Sequence, residues 1–173
     1  MNEVIKCLET RRSIRKYKSE QISDAEFSQI LEAGTYAATG RGKQSPKIIA
    51  VQDSDIIKQL SKLNAAVMGT DSDPFYGAPT LIIVLADKSV STAVEDGSLV
   101  IGNIMIAAHS LGIGSCWIHR AREVFASDAG QSLLKDWGID GKQYIGVGNC
   151  ILGYADGDVP EAKPRKKDYI IKV

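Results

Sequence analysis

The run Thr80 to Leu85 (TLIIVL) constrains the fold of this chain more than any other feature. Six apolar or β-branched residues in succession leave no face for water, as in a central strand covered on both sides. Such a strand needs helices above and below it, and the flanking sequence supplies them. Val4, Ile5 and Leu8 recur at helical spacing, which predicts a short helix over residues 2–10. Ser23 and Glu26 form a capping box ahead of the apolar face Phe27, Ile30 and Leu31, with Gly34 marking a break or a tight contact. Lys47 to Gln52 (KIIAVQ) reads as a second strand. A helix follows from Asp53 or Ser54, using Ile56, Ile57, Leu60 and Leu63. Ser98 to Ser110 is apolar almost all round and reads as a buried central helix, ended by Leu111-Gly112-Ile113-Gly114. A short strand, SCWI, comes next. A helix near Asp128 to Trp137 stops at Gly138, and Tyr144 to Leu152 is a further strand. The expected class is α/β: a mixed sandwich with helices covering a central sheet. Strand direction is left open by the pattern. No repeat or linker interrupts the 173 residues, so they read as one domain, 1–173.

Charge excludes several partners. The 21 basic and 21 acidic residues cancel, so no global field draws in nucleic acid or an anionic membrane. Cys7, Cys116 and Cys150 are odd in number, far apart and without zinc spacing, which reads as reduced thiols in a cytoplasmic protein. Glu3, Lys6 and Glu9 interrupt any signal-peptide run, and the most apolar stretch, Leu99 to Leu111, is too short to span a bilayer.

The familiar sites of chemistry are missing. There is no phosphate loop of the GxxxxGK[ST] type, no GxSxG elbow and no metal spacing around His109 and His119. Gly146-Val147-Gly148 resembles the start of a dinucleotide turn, but its alternating apolar residues fit a buried strand better. A chain without its own nucleophile, metal or acid/base pair can take its chemistry from a cofactor. The basic residues then matter. Arg11, Arg12 and Arg15, with Ser13 between them, present planar donors suited to a phosphate. On spacing alone the cluster reads first as a solvated surface patch, as charge runs usually are. A second cluster, Pro164-Arg165-Lys166-Lys167, joins it only if the fold brings the chain ends together.

Several segments in order resemble the nitroreductase family of FMN-dependent oxidoreductases. They are TRRSIRKY at 10–17, AATGRGKQSP at 37–46, DPFYGAP at 73–79, LGIGSCWI at 111–118, GVGNCILGY at 146–154 and KPRK at 163–166. The resemblance implies a sandwich around a mainly antiparallel sheet, a homodimer, and FMN at the subunit interface. It implies that Arg11, Arg12, Ser13 and Arg15 contact the phosphate and ribityl chain, with Arg165 and Lys167 on the same phosphate. It places Thr39, Gly40, Gly42 and Gln44 in a loop that reaches the flavin of the other subunit. That loop departs from the family pattern: Gly42 and Ser45-Pro46 stand where many relatives carry Asn and Pro-Trp. Asn64 matches a residue at the flavin ring edge, though its position also fits a helix C-cap. Trp117, Ile118 and His119, after Cys116, match the segment beside the isoalloxazine.

The activity implied is hydride transfer from NADH or NADPH through the flavin to an electron-poor acceptor such as a nitroaromatic or a quinone. His119 is the candidate proton donor; no other catalytic side chain is assigned. His109 reads as a core histidine. Phe75 and Tyr76, in the long loop 69–79, are candidates for lining the substrate pocket or for packing. Other reactions open to an FMN-binding relative are dehalogenation, ene reduction and flavin cleavage. The competing non-enzymatic reading is a nucleic-acid-binding module, against which the zero net charge and the lack of aromatic interleaving both count.

Overall fold

The computed structural model describes residues 2–173. Along them run six α-helices and four strands: α1 (Glu3–Thr10), α2 (Asp24–Thr35), β1 (Pro46–Val51), α3 (Ser54–Met68), β2 (Thr80–Asp87), α4 (Ala93–Ser110), β3 (Gly114–Ile118), α5 (Ala121–Ala126), α6 (Asp128–Asp136) and β4 (Tyr144–Gly153). The strands form one sheet in the order β1-β2-β4-β3, with every pair antiparallel. Strand β2 lies inside that sheet and is shielded on both faces, as its composition requires. Leu81, Ile83 and Leu85 pack into a cluster with Leu60 of α3, Val124 and Phe125 of α5 and Leu134 of α6. Ile82, Val84 and Ala86 point the other way, onto Ile30 of α2 and Val100, Ile101 and Ile104 of α4. The period-two alternation of one strand thus divides the core into two layers.

The capping box at the start of α2 is complete: Ser23 Oγ accepts from the Glu26 N–H, and the Glu26 carboxylate accepts from the Ser23 N–H at 3.0 Å. Gly34 proves to be a tight contact, with no room for a Cβ beside Ile104 of α4. Helix α4 starts at Ala93, five residues before the apolar run that announced it, because Glu95 and Asp96 in its first turn break the hydrophobic pattern. Helix α5 was not anticipated. It is six residues long and begins after Arg120, which holds a left-handed backbone in place of a capping side chain.

Gly146-Val147-Gly148 is a bulged stretch of β4. Val84 pairs with Gly148 and Leu85 with Gly146, so Val147 is the extra residue. Gly148 leaves space for Trp117: a Cβ there would lie 2.7 Å from the indole Cε2 and 2.9 Å from Ile101 Cδ1. Gly148→Ala is therefore expected to destabilise the fold by about 1–3 kcal/mol through overpacking. At this chain length that lowers the melting temperature by several degrees, measurable by calorimetry.

Candidate functional site

The basic segment 11–18 is held along the free edge of β3 and the end of β4. The Ile14 N–H donates to Ser115 O at 3.0 Å, and the Lys18 N–H to Tyr154 O at 2.9 Å. Ser13 and Ser115 form a parallel bridge. Ile14 is the anchor: it is buried, and Gly114 makes room for it, since a Cβ there would sit 3.0 Å from Ile14 Cβ. The Tyr17 hydroxyl donates to Ile14 O at 2.6 Å, and burial pushes its ionisation far above the ordinary tyrosine range.

This docking sorts the three arginines of the basic cluster. Arg15 is exposed and free to meet a ligand. Arg12 folds back on helix α1, its Nη1 donating to Glu9 O and Arg11 O at 2.7 Å each. Arg11 is half-buried, and its Nη1 has no hydrogen-bond partner. Ser115, buried at 1% exposure, likewise leaves its Oγ without one. Both side chains line a cavity of about 170 Å³ shared with Arg12, Ile14, His109 and Val159. Buried polar groups in native proteins are nearly always paired. Two unpaired groups capable of donating, one of them a guanidinium, beside a cavity are suited to one anionic acceptor. The chemistry fits a phosphate monoester.

Trp117, Ile118 and His119 continue from the same strand. Trp117 is half-buried on the α4 side, Ile118 is buried on the other, and the His119 side chain is exposed. Asn64 is not a helix cap, because α3 runs on to a left-handed Gly69. Its buried amide instead fixes the end of β3: Nδ2 donates to His119 O at 2.8 Å, and Oδ1 accepts from Arg120 Nε at 3.0 Å. Arg120 has φ +75°, a conformation that costs free energy in a residue with a side chain and must be held by its surroundings. The Asn64 lock does so.

The loop around residues 39–45 lies elsewhere. Thr39 Oγ1 accepts from the Gln44 N–H at 3.1 Å; Gly42 and the Gln44 side chain are exposed. Asp96 of α4 pins this loop, accepting from the Gly40 N–H at 2.9 Å and from Ser45 Oγ at 2.7 Å. The other end of α4 carries His109 at the Arg11 cavity. Thirteen residues at 1.5 Å each separate Asp96 from His109, about 20 Å. One chain therefore does not bring 39–44 to 11–15. Nor is the second basic cluster engaged: Arg165 donates to Lys163 O, and both Arg165 and Lys167 are exposed. His109 is not a core residue; it is half-buried at the cavity. Ser115, Asp96 and Arg120 went unnoticed in the sequence. The available signal was Asp96, which with Glu95 stands directly ahead of the apolar run of α4. Among the described residues no group of acidic, histidine and cysteine side chains is arranged to hold a metal, and no helix is long and apolar enough to cross a membrane.

Comparison with known proteins gives a consistent match. The model of the nitroreductase family fits residues 8–154. A protein of Archaeoglobus fulgidus, provisionally named NADH dehydrogenase/NAD(P)H nitroreductase, is 36% identical over 123 residues, covering 68% of each chain. The FMN reductase (NAD(P)H) of Bacillus subtilis is 32% identical over 139 residues, which are 70% of this chain but only 56% of that one. Among solved structures, a nitroreductase with bound FMN from Bacteroides fragilis superposes over the whole of both chains with a TM-score of 0.92 at 29% identity.

Proposed function

Since the chain belongs to the nitroreductase family, we propose that it is an FMN-dependent NAD(P)H oxidoreductase acting on small electron-poor acceptors such as nitroaromatics or quinones. The observation that carries this reading is the pair of buried, unpartnered groups, Arg11 Nη1 and Ser115 Oγ, beside a phosphate-sized cavity. When bound, FMN supplies the redox chemistry, taking hydride from NADH or NADPH and yielding it to the acceptor. The protein supplies position and charge. Arg11 and Ser115 would hold the phosphate in the cavity, with Ser13 and the exposed Arg15 beside it, and Arg12 stiffens the turn that presents them. Asn64 holds the backbone of His119 and Arg120, the segment that would lie beside the flavin, in a fixed conformation. Trp117 and Ile118, on opposite faces of β3, pack the strand into both core layers and so fix the backbone that leads to His119. Arg165 and Lys167, on an exposed tail, would add two further cations to the phosphate.

The same reading includes a homodimer. Helix α1 leaves Val4, Ile5 and Leu8 exposed, and α4 leaves Val94 and Leu99 exposed, although both helices are part of the folded body. Pairing α4 antiparallel with its copy would cover these side chains. It would also set the loop 39–44 of one protomer beside the Arg11 cavity of the other, bridging the 20 Å that separates them within a chain. Three free cysteines, two of them buried, suit a reducing, cytoplasmic setting.

The test is an absorbance spectrum of the purified protein, taken before and after adding NADH or NADPH without oxygen. Oxidised-flavin bands that bleach on addition and return with a quinone or nitroaromatic are the expected result. A protein that cannot be loaded with FMN, or a flavin that neither nicotinamide bleaches, overturns the reading.

A further inference from the structure

His109 stands at the C-terminal end of α4 and lines the Arg11 cavity. Thr10 Oγ1 donates to Lys6 O at 2.7 Å and meets His109 Nε2 at 2.9 Å. With the hydroxyl hydrogen directed to Lys6 O, the contact is donated by the imidazole, and Nδ1 is the basic atom of the neutral ring. The groups facing the ring can be named from each element around it. The segment after α1 brings Arg11 and Arg12, and α1 itself brings the neutral Thr10. Gly112 and Ile113, then Gly114 and Ser115 of β3, carry no charge; the chain beyond β4 brings Ala155 and Val159. Among the described residues, no carboxylate lines the cavity. Burial, then the two arginines, hold the imidazole below its ordinary range and so neutral at neutral pH.

We infer that His109 is a proton-accepting wall of the phosphate pocket: when a phosphate monoester docks there, Nδ1 takes a proton from solvent, so capture of the cofactor is coupled to proton uptake. The inference rests on the flavin reading for the identity of the ligand, but its physical basis is local. A dianion among Arg11, Arg12 and Ser115 cancels the repulsion that keeps the ring neutral, and the imidazolium then adds an attraction of its own. Binding must tighten as pH falls through the interval between the ring's free and bound ionisation, about tenfold for each unit by which that ionisation is raised.

The test uses the full chain stripped of flavin. Calorimetric titration with FMN near pH 6.5, in two buffers of different ionisation enthalpy, reads protons taken up. Phosphate itself ionises near pH 6, so His109→Gln, which cannot take up the proton, sets the baseline. The expected result is net uptake in the wild type beyond that of H109Q, and a shallower pH dependence of FMN affinity in the variant. Riboflavin, lacking the phosphate, should give no such difference. NMR of the His109 ring keeps the test independent of the variant: its ionisation should move up on adding FMN. Equal uptake in both proteins, or an imidazole that titrates alike with and without FMN, overturns the inference. Inorganic phosphate separates the two readings. If it raises the imidazole's ionisation while FMN fails to bind, the proton-linked anion site stands and the flavin reading falls.

Discussion

Arg11→Ala combined with Arg15→Ala is expected to strip FMN from the protein while leaving the empty chain folded. Hydrogen bonds to charged groups contribute about 1.5–3 kcal/mol each. Losing two such donors to one phosphate should weaken FMN binding on the order of 10²- to 10⁴-fold. The stability of the unliganded protein should move little. Arg15 is exposed, and Arg11 Nη1 is a buried donor with no acceptor, so truncating it removes an unmet requirement along with a side chain. What disappears is the stabilisation by ligand. FMN at 100 times its dissociation constant contributes about 2.7 kcal/mol to the wild type, roughly 5–11 °C in melting temperature for a chain of this size. Thermal melts with and without FMN check this, with riboflavin as the control that the double variant should leave unchanged. Unaltered flavin occupancy would place the phosphate elsewhere.

The pattern of what the sequence disclosed follows from the range of the interactions involved. The capping box at Ser23 and Glu26 is a contact between residues three apart, and it is readable for that reason. The two-sided burial of β2 is written in its composition. The start of α4 was not readable, since its first turn bears two acids, and the partner of one of them, Asp96, is the Gly40–Ser45 loop more than fifty residues away. Asn64 shows the same limit: one polar residue in a helix fits a cap or a ligand contact, and only the fold puts His119 O within 2.8 Å of it. In the basic cluster, the sequence names the residues but not their division of labour. Whether an arginine turns back on α1, as Arg12 does, or faces a cavity unpaired, as Arg11 does, depends on how Ile14 seats against Gly114.

Asp96→Ala is expected to have the largest effect on stability of any single change near the site and, in the proposed homodimer, to act on the flavin of the other protomer. The carboxylate is buried at 2% exposure. Burial alone would raise its ionisation, but Ser45 Oγ and the Gly40 N–H outweigh that and hold it below the usual carboxylate range. Removing it leaves both donors unpaired. At about 1–3 kcal/mol each, the expected cost is on the order of 3 kcal/mol, or roughly 6–12 °C in melting temperature. The pH dependence follows from the same shift. The stabilisation is complete above the ionisation of an unfolded aspartate, near pH 4, and is lost as pH falls through the lower folded value. Between pH 5 and 8 the difference between wild type and D96A should therefore stay constant, and it should narrow only in stronger acid. A D96A melt within a degree of wild type at neutral pH would mean that the clamp is not where the loop's stability lies. In the proposed homodimer the freed loop belongs to the partner's site. D96A should then bind FMN about tenfold more weakly, about 1.4 kcal/mol, although its own Arg11 cavity is intact. Mixing separates this effect from general damage. An Arg11→Ala chain paired with a D96A chain makes one site with both defects and one with neither. At an FMN concentration where neither variant alone holds flavin, refolding the two together should restore roughly a quarter of the sites, since half of randomly formed dimers are mixed. No recovery on mixing, with both variants folded, would show that the loop and the cavity do not meet across the interface.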